Sequence, residues 1–165
     1  MKLQNIKIAD ASKSKTNVEG RTEGPAFDDL VASIKEKGVL VPVLARKTNI
    51  PQTKLKADQK DHDYYEIIAG NRRLAAAKEA GIDEIPAYVV EMTDEEAQEA
   101  QIIENLQRQN VHPLDEGMAY RQLIEKSNRE VDDIAAKVGK SKSYVRQRLL
   151  LTNLGTEAAA AFRKE

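Results

Sequence analysis

The spacing of apolar residues changes near residue 92, and this change constrains the fold more than any other feature of the chain. Before that point, short β-rich runs alternate with runs whose apolar residues recur every three or four positions. After it, one helical pattern follows another. A chain of 165 residues is long enough for two small domains. The sequence therefore predicts a domain of strands and helices over residues 1–92, followed by an all-helical domain over residues 93–165.

The first half predicts four strands and two helices. A helix that contains Phe27 and Ile34 is expected to stop at Gly38, and a second helix is expected to follow Gly70. Pro42 fits only the start or the edge of its strand, because proline donates no hydrogen bond to a sheet. The predicted strands cover residues 3–8, 41–46, 64–69 and 85–90. A polar loop that contains Gly20 and Gly24 is expected after the first strand, and a long exposed connection is expected over residues 48–63.

The second half predicts five helices. A Thr-Asp-Glu-Glu run beginning at Thr93 has the form of a capping box and opens a helix that is expected to end near residue 107. Pro113 fits the first turn of the next helix. Two shorter helices lie on either side of Gly139, and a last helix starts near Thr156. Because its apolar and alanine content continues to the last residue, we expect the sequence to be a piece of a longer protein.

The composition excludes several classes of function. Cysteine is absent, so disulfides, thiolate metal sites and cysteine nucleophiles are excluded. Aromatic residues make up 4% of the chain, too few for a platform that stacks single-stranded bases. His62 and His112 lack the spacing of metal ligands. No apolar run reaches the length of a membrane span or a secretory signal, so we expect a cytoplasmic protein without a membrane partner.

Basic residues concentrate in one segment of the helical half. The net charge of the chain is −1, but residues 134–155 carry five basic residues and no acidic one. The same segment fits a helix-turn-helix, since Ala135 is small enough for a helix crossing, Gly139 tolerates a positive φ, and Ser141 is placed to cap the second helix. We predict this motif at about residues 130–151, and its second helix would be held by Ile134, Val138, Val145 and Leu149.

The exposed side of this motif would carry side chains that bond phosphates and base edges. The predicted DNA-binding residues are Lys140, Ser141, Lys142, Ser143, Arg146 and Gln147. The alternative is an ordinary helical hairpin with a solvated basic face. The turn chemistry and the local charge together favour double-stranded DNA as a partner.

Two further segments predict a site for a phosphorylated ligand. Gly70 stands between a strand and a helix, where the backbone can approach an anion, and Arg72 and Arg73 follow it. Glu104 and Asn105 are neighbours near the end of a predicted helix, and a carboxylate beside a carboxamide can hold Mg²⁺ on a polyphosphate. Each segment, taken alone, is also consistent with ordinary solvated surface.

These segments occur in the order and spacing of the ParB family of partition proteins. Residues 27–43 (FDDLVASIKEKGVLVPV), 67–76 (IIAGNRRLAA) and 103–117 (IENLQRQNVHPLDEG) resemble the three boxes of that family, and the helix-turn-helix (VDDIAAKVGKSKSYVRQRLLL) follows them. The resemblance implies an α+β fold, with a small mixed-sheet domain of the ParB/sulfiredoxin kind before a helical DNA-binding domain. We expect the family's C-terminal dimerisation domain to be absent from this sequence.

The resemblance also implies a DNA-binding protein that is a nucleotide switch, associated with the nucleoid or a plasmid. Family members bind a palindromic, centromere-like DNA site and bind CTP with Mg²⁺. Their homodimers close into a clamp that slides on DNA, and a ParA-type ATPase is the motor partner. Carried over to this chain, Glu104 and Asn105 would contact Mg²⁺. The implied cofactor-binding residues are Gly38, Pro42, Gly70, Asn71, Arg72, Arg73, Glu104, Asn105 and Arg108.

Asn71 departs from the family pattern. The second box usually carries Glu at this position, and that Glu is linked to hydrolysis of CTP, whereas an amide cannot take a proton from water. Enzymatic activity therefore stays open. Residues 17–21 also lack the usual Asn-Pro-x-x-Pro-Arg form, although Arg21 fits its arginine, and this divergence favours a plasmid, phage or mobile-element member. Two alternatives stay open: a repressor that binds DNA independently of nucleotide, and a small-molecule kinase on the same fold.

Overall fold

The computed structural model of the chain describes residues 1–14, 22–48, 63–108, 111–127 and 130–163. The chain divides into two compact units, Met1–Thr93 and Asp94–Glu165. The predictions for residues 17–21 and for most of the connection at 48–63, including His62, lie outside the described residues. The expected fold class is confirmed, because a mixed sheet in the first unit is followed by helices in the second. The assignment of nucleotide binding to residues 1–92 and of DNA binding to residues 93–165 stays a prediction.

A five-stranded mixed sheet forms the first unit. Its strands are β1 (Lys2–Lys7), β2 (Ala11–Lys13), β3 (Val43–Thr48), β4 (Tyr64–Ala69) and β5 (Glu84–Val90). They lie in the order β1-β5-β3-β4-β2. The pairs β1/β5 and β3/β4 are antiparallel, whereas β3/β5 and β2/β4 are parallel. The helices of this unit are α1 (Pro25–Lys37) and α2 (Asn71–Glu79), and they pack against each other.

Aliphatic side chains fill the core of this unit, as the scarcity of aromatic residues requires. Alternate residues of the central strands are fully buried, in keeping with the two-residue period of a strand. The helices add residues to the same cluster. Its members include Val43, Ala45, Ile67, Ile85 and Ala87 from the strands, and Phe27, Ile34 and Leu74 from the helices. Burial of this apolar surface is the main force that holds the sheet against the helices.

The structure differs from the sequence-based prediction near residue 8. A strand was expected to reach Ile8, but β1 ends at Lys7, and Ile8–Asp10 forms a turn of 3-10 helix. The unpredicted strand β2 follows and pairs in parallel with β4, with Ala11 opposite Tyr65. Only Ala11 among its three residues is buried. The segment therefore has no apolar alternation of its own, and its pairing with a distant strand makes it part of the sheet.

Helices alone build the described part of the second unit. They are α3 (Asp94–Leu106), α4 (Pro113–Ser127), α5 (Val131–Val138), α6 (Lys142–Leu151) and α7 (Thr156–Phe162), so all five predicted helices are present. The core cluster joins α4, α5 and α6 through Tyr120, Leu123, Ile134, Ala135 and Val145. Within the ranges that the structure describes, no helix combines the length and the apolar character needed to cross a bilayer.

Candidate functional site

The turn between α5 and α6 has the geometry that its sequence predicts. Gly139 ends α5 in the left-handed conformation, with φ of 67° and ψ of 33°. The Lys140 N–H donates to the Ala135 carbonyl at 3.0 Å and closes the end of the helix. Ser141 Oγ accepts a hydrogen bond from the Tyr144 N–H at 3.1 Å and caps the start of α6. The three segments therefore form a helix-turn-helix.

Apolar contacts hold the two helices of this motif on the unit. Ile134 and Val145 are fully buried, and Ala135 is 3% exposed where the helices cross. Val138 and Leu149 are partly buried and pack against the same cluster. The residues that the sequence assigned to this role thus share one core.

The predicted DNA-binding residues lie at the surface of the motif. All six are exposed: Lys140, Ser141, Lys142, Ser143, Arg146 and Gln147. Lys142 Nζ pairs with the carboxylate of Asp132 on α5, and Lys140 Nζ lies 5.3 Å from the centre of the Tyr144 ring. An exposed ion pair contributes little to stability, so Lys142 can exchange Asp132 for a phosphate at small cost. Their roles in binding DNA stay predictions.

The sequence did not predict a buried carboxylate beside α6. Glu116 of α4 is 7% exposed. It accepts hydrogen bonds from Tyr120 Oη at 2.6 Å, Tyr144 Oη at 2.9 Å and Arg148 Nε at 2.8 Å. Burial acts to raise the pKa of Glu116, but these three donors outweigh it and lower the pKa below its ordinary value. The Glu116 carboxylate is therefore ionised at neutral pH.

Gly70 opens α2 in a conformation that suits an anion site. It is left-handed, with φ of 103° and ψ of 25°. A Cβ added there would lie 2.8 Å from Val43 Cγ1, so both the conformation and the space favour glycine. The first turn of α2 contains no acidic residue, and the first N–H groups of a helix have no acceptor within it. This end of α2 therefore fits a phosphate group.

The two arginines of α2 make different contacts. Arg73 Nη1 donates to the carbonyl oxygens of Val41 and Pro42, both at 2.6 Å. It thereby holds the segment just before β3. Arg72 is exposed, and its Nη2 makes a hydrogen bond of 3.3 Å to the Ala26 carbonyl. Arg72 is accordingly the arginine whose guanidinium can turn to a phosphate at smaller cost.

Gly38 and Pro42 bound the loop between α1 and β3. Gly38 ends α1 with φ of 72°, and its N–H donates to the Ile34 carbonyl at 2.8 Å. Between the two, Leu40 and Val41 are 74% and 62% exposed. The loop is therefore held at both ends, by the cap of α1 and by Arg73, while its middle is at the surface.

Asn71 is the first residue of α2, and its Oδ1 atom is buried without a hydrogen-bond partner. An unpaired buried amide oxygen fits a site that a donor from a ligand or water can complete. The carboxylate of Glu66, five residues earlier in the sequence, is engaged in the sheet. Its Oε2 accepts from Arg46 Nε at 2.8 Å across the β3–β4 pair. A carboxylate held in this way is a poor substitute for the family's usual Glu at position 71.

The predicted Mg²⁺ ligands lie in the last turn of α3. Glu104 Oε2 is 3.3 Å from Arg108 Nη2, and their side chains are 37% and 44% exposed. Asn105 Oδ1 is buried without a hydrogen-bond partner. The two oxygens are ligands of the kind that Mg²⁺ prefers, with phosphates and water completing the shell. These residues lie in the second unit and Gly38 to Arg73 in the first, so their union in one site stays a prediction.

In the described ranges, no cluster of side chains could hold a metal ion by itself. No group of three His, Asp or Glu side chains is suitably placed there. His112 is bonded locally, because its Nδ1 accepts from the Leu114 N–H at 3.2 Å.

Comparison with known proteins supports the resemblance of the three sequence segments to the ParB family. The family model for the ParB N-terminal domain matches residues 1–106, and the model for the ParB HTH domain matches residues 109–165. The chain is 40% identical over 139 residues to the chromosome-partitioning protein Spo0J of Thermus thermophilus. The match covers 84% of this chain and 46% of the relative, so the chain spans about half the length of that protein.

Two solved structures of a C-terminally truncated chromosome-partitioning protein ParB from Caulobacter crescentus are similar to this chain. The one complexed to the centromeric parS site has a TM-score of 0.76 and 29% identity, and covers 98% of this chain and 78% of that chain. The one complexed with CTP-gamma-S has a TM-score of 0.52 and 32% identity, with coverages of 99% and 86%. With its N-terminal and helix-turn-helix models matched in order, the chain belongs to the ParB family.

Proposed function

We propose that this chain is the DNA-binding and CTP-binding part of a ParB-type partition protein. The capped helix-turn-helix with six exposed polar and basic residues carries the proposal, because such a helix fits the major groove of DNA. Gln147 would contact base edges, and Lys140, Lys142 and Arg146 would contact phosphates. The similarity to a relative solved with its parS site supports this role.

We propose that CTP binds with Mg²⁺ at the start of α2. Support comes from the left-handed Gly70, from the absence of acidic residues in the first turn of α2, and from the relative solved with CTP-gamma-S. Arg72 would pair with a phosphate, while Arg73 shapes the loop beside the nucleotide. Bound Mg²⁺ would neutralise charge on the phosphates. The remaining contributors in this proposal are Gly38, Pro42, Asn71, Glu104, Asn105 and Arg108.

A palindromic DNA site implies a symmetric protein. Two-fold symmetry in the DNA is matched by two copies of a helix-turn-helix, one on each half-site. We therefore propose a homodimer on DNA, which CTP closes into a clamp. The family resemblance adds a ParA-type ATPase as the partner in partition. A plasmid, phage or mobile-element origin stays a prediction.

Calorimetric titration tests the proposal most directly. CTP with Mg²⁺ is added to the 165-residue chain alone, with a duplex that carries the parS site of the Caulobacter relative, and with a scrambled duplex of equal length. We expect CTP to bind, and to bind more tightly with the parS duplex than with the scrambled one. ATP and GTP serve as nucleotide controls. Binding of the parS duplex that is equal with and without CTP, with no heat from CTP itself, would instead show nucleotide-independent DNA binding, as the repressor alternative requires.

The kinase alternative makes a separate prediction. A small-molecule kinase on this fold would transfer phosphate to free serine. Such an enzyme would not require a helix-turn-helix with an exposed basic face. An assay of phosphate transfer to serine, with and without DNA, separates the two functions. We expect no transfer.

A further inference from the structure

Glu116 connects α4 to the helix that we propose enters DNA. Its Oε2 accepts hydrogen bonds from two residues of α6 that are four positions apart, Tyr144 and Arg148. Arg148 Nη2 in turn donates to the Tyr144 hydroxyl at 3.1 Å, and Arg148 Cζ lies 4.5 Å from the centre of the Tyr144 ring. One carboxylate thus holds two successive turns of α6.

Tyr120 fixes the orientation of this carboxylate. Its hydroxyl donates to Glu116 Oε1 at 2.6 Å from the next turn of α4, and the residue is 1% exposed. The Glu116 side chain is 9% exposed and that of Arg148 is 26% exposed. Water has little access to the carboxylate, so loss of its charge would leave Arg148 without a counter-ion in a partly buried place. Breaking such a pair costs far more than breaking an exposed one.

The backbones of α4 and α6 meet beside the same carboxylate. A Cβ added to Gly117 would lie 2.2 Å from the Arg148 carbonyl oxygen and 3.0 Å from Thr152 Cγ2. Because Gly117 has no side chain, the two helix backbones can approach closely at this point. Backbone contact alone does not fix the rotation of α6 about its axis, and the bonds from Glu116 to Tyr144 and Arg148 supply that constraint.

The side of α6 that Glu116 holds is remote from its proposed DNA face. At about 100° per residue, Tyr144 lies roughly 150° and Arg148 roughly 170° around the helix from the middle of the face that carries Lys142, Arg146 and Gln147. We infer that Glu116 is a positioning residue for DNA recognition: its carboxylate fixes the rotation of α6 and thereby the face that α6 turns to DNA. This inference rests on the proposed DNA binding.

Glu116→Gln tests the inference, with Glu125→Gln as the matched control, since Glu125 is exposed on the same helix and loses the same charge. Fluorescence anisotropy measures binding of the full chain to the parS duplex and to a scrambled duplex at one salt concentration. Binding is measured at a temperature at which circular dichroism shows that every variant is folded. We expect Glu116→Gln to weaken parS binding about tenfold or more and binding of the scrambled duplex by less than about threefold, because non-specific binding depends on phosphate charge.

Two further measurements distinguish positioning from simple support of the fold. Tyr144→Phe keeps the ring and removes the hydroxyl, and we expect it to lower the ratio of parS to scrambled affinity in the same direction, whereas Glu125→Gln leaves that ratio unchanged. Hydrogen exchange without DNA should be faster in α6 of Glu116→Gln and unchanged in α2.

The outcomes separate this inference from the proposed function. A Glu116→Gln chain that melts at a lower temperature but keeps the parental affinity ratio would overturn the positioning role. A parent that does not prefer the parS duplex would overturn the proposed DNA recognition itself. The hydrogen-exchange measurement tests the inference independently of DNA. If the α6 amides exchange equally fast in Glu116→Gln and in the parent, Glu116 does not hold α6.

Discussion

The guanidinium of Arg73 donates a hydrogen bond of 2.6 Å to the carbonyl oxygen of Pro42. The same nitrogen reaches the Val41 carbonyl, so a residue in the first turn of α2 anchors the chain just before β3. The family resemblance implies that Arg73 binds the phosphates of a nucleotide. In this structure its guanidinium instead donates hydrogen bonds to backbone carbonyl oxygens. Arg72 is exposed on the same turn. The two arginines are therefore expected to respond differently to substitution.

Arg72→Ala is expected to weaken CTP binding without a loss of thermal stability, while Arg73→Ala should reduce both. A lost charge-assisted phosphate contact costs about 1.5–3 kcal/mol, or about one to two decades in affinity. Calorimetric titration with CTP and a thermal melt of each variant measure the two effects. Lys78→Ala, an exposed change in the last turn of α2, is the control. Equal melting temperatures for the two arginine variants would contradict the anchoring role of Arg73.

Lys142→Ala and Arg146→Ala are each expected to weaken DNA binding, because both side chains are exposed on α6. If each contacts a phosphate, its loss should flatten the dependence of log affinity on log salt by about one charge. Titration of the parS duplex over a series of salt concentrations measures this slope. Lys126→Ala, on α4 and bonded to Gln98, should keep the parental slope. Parental slopes in both α6 variants would show that this helix does not dock on DNA.

Gly117→Ala is expected to destabilise the helical unit. The added Cβ would meet the Arg148 carbonyl oxygen at 2.2 Å, so α4 and α6 must separate, and overpacking of this kind costs about 1–3 kcal/mol. Gly155→Ala is the control, since a Cβ there meets nothing within 4 Å. Denaturant unfolding followed by far-ultraviolet circular dichroism measures both variants. A loss in Gly117→Ala no larger than that in Gly155→Ala would show that the two helices adjust without cost.

The stability of the helical unit should fall in acid partly through Glu116. Its folded-state pKa is lowered by the donors Tyr120, Arg148 and Tyr144, against the opposing effect of burial, so it lies below the unfolded value of about 4.3. The carboxylate therefore contributes stability above the unfolded pKa, and this contribution is lost as pH falls through the folded pKa. Melting temperatures measured against pH should fall less steeply for Glu116→Gln than for the parent. A parallel fall in both would assign the acid sensitivity to other groups.

Local signals account for what the sequence predicts well. The turn at Gly139 and the cap at Ser141 each depend on a few adjacent residues, and the structure confirms both. Gly70 has a similar short-range signature, a glycine between a strand and a helix, and the structure adds its left-handed conformation.

Long-range contacts account for what the sequence misses. The three residues of β2 become a strand by pairing with β4, more than 50 positions away, as the bond from Ser12 Oγ to the Tyr65 carbonyl illustrates. Glu116 finds its α6 partners Tyr144 and Arg148 at separations of 28 and 32 residues. Only its bond to Tyr120, four residues on, has a spacing that a helical pattern reveals.

Asn71→Glu is expected to raise the rate of CTP hydrolysis. The parent should bind CTP and release phosphate very slowly, because a neutral amide orients water but cannot accept its proton near pH 7, and general-base catalysis typically contributes about 10²–10⁴-fold. Asn71 is at the first position of α2, and its Oδ1 is buried without a hydrogen-bond partner, so a longer carboxylate there would start from the same helix end. Phosphate release is measured with CTP, Mg²⁺ and the parS duplex.

Asn71→Gln is the matched control, since its amide has the length of Glu without the charge. Glu66 is paired with Arg46 and is not expected to substitute. Fast hydrolysis by the parent that Asn71→Glu leaves unchanged would show that position 71 does not decide the chemistry.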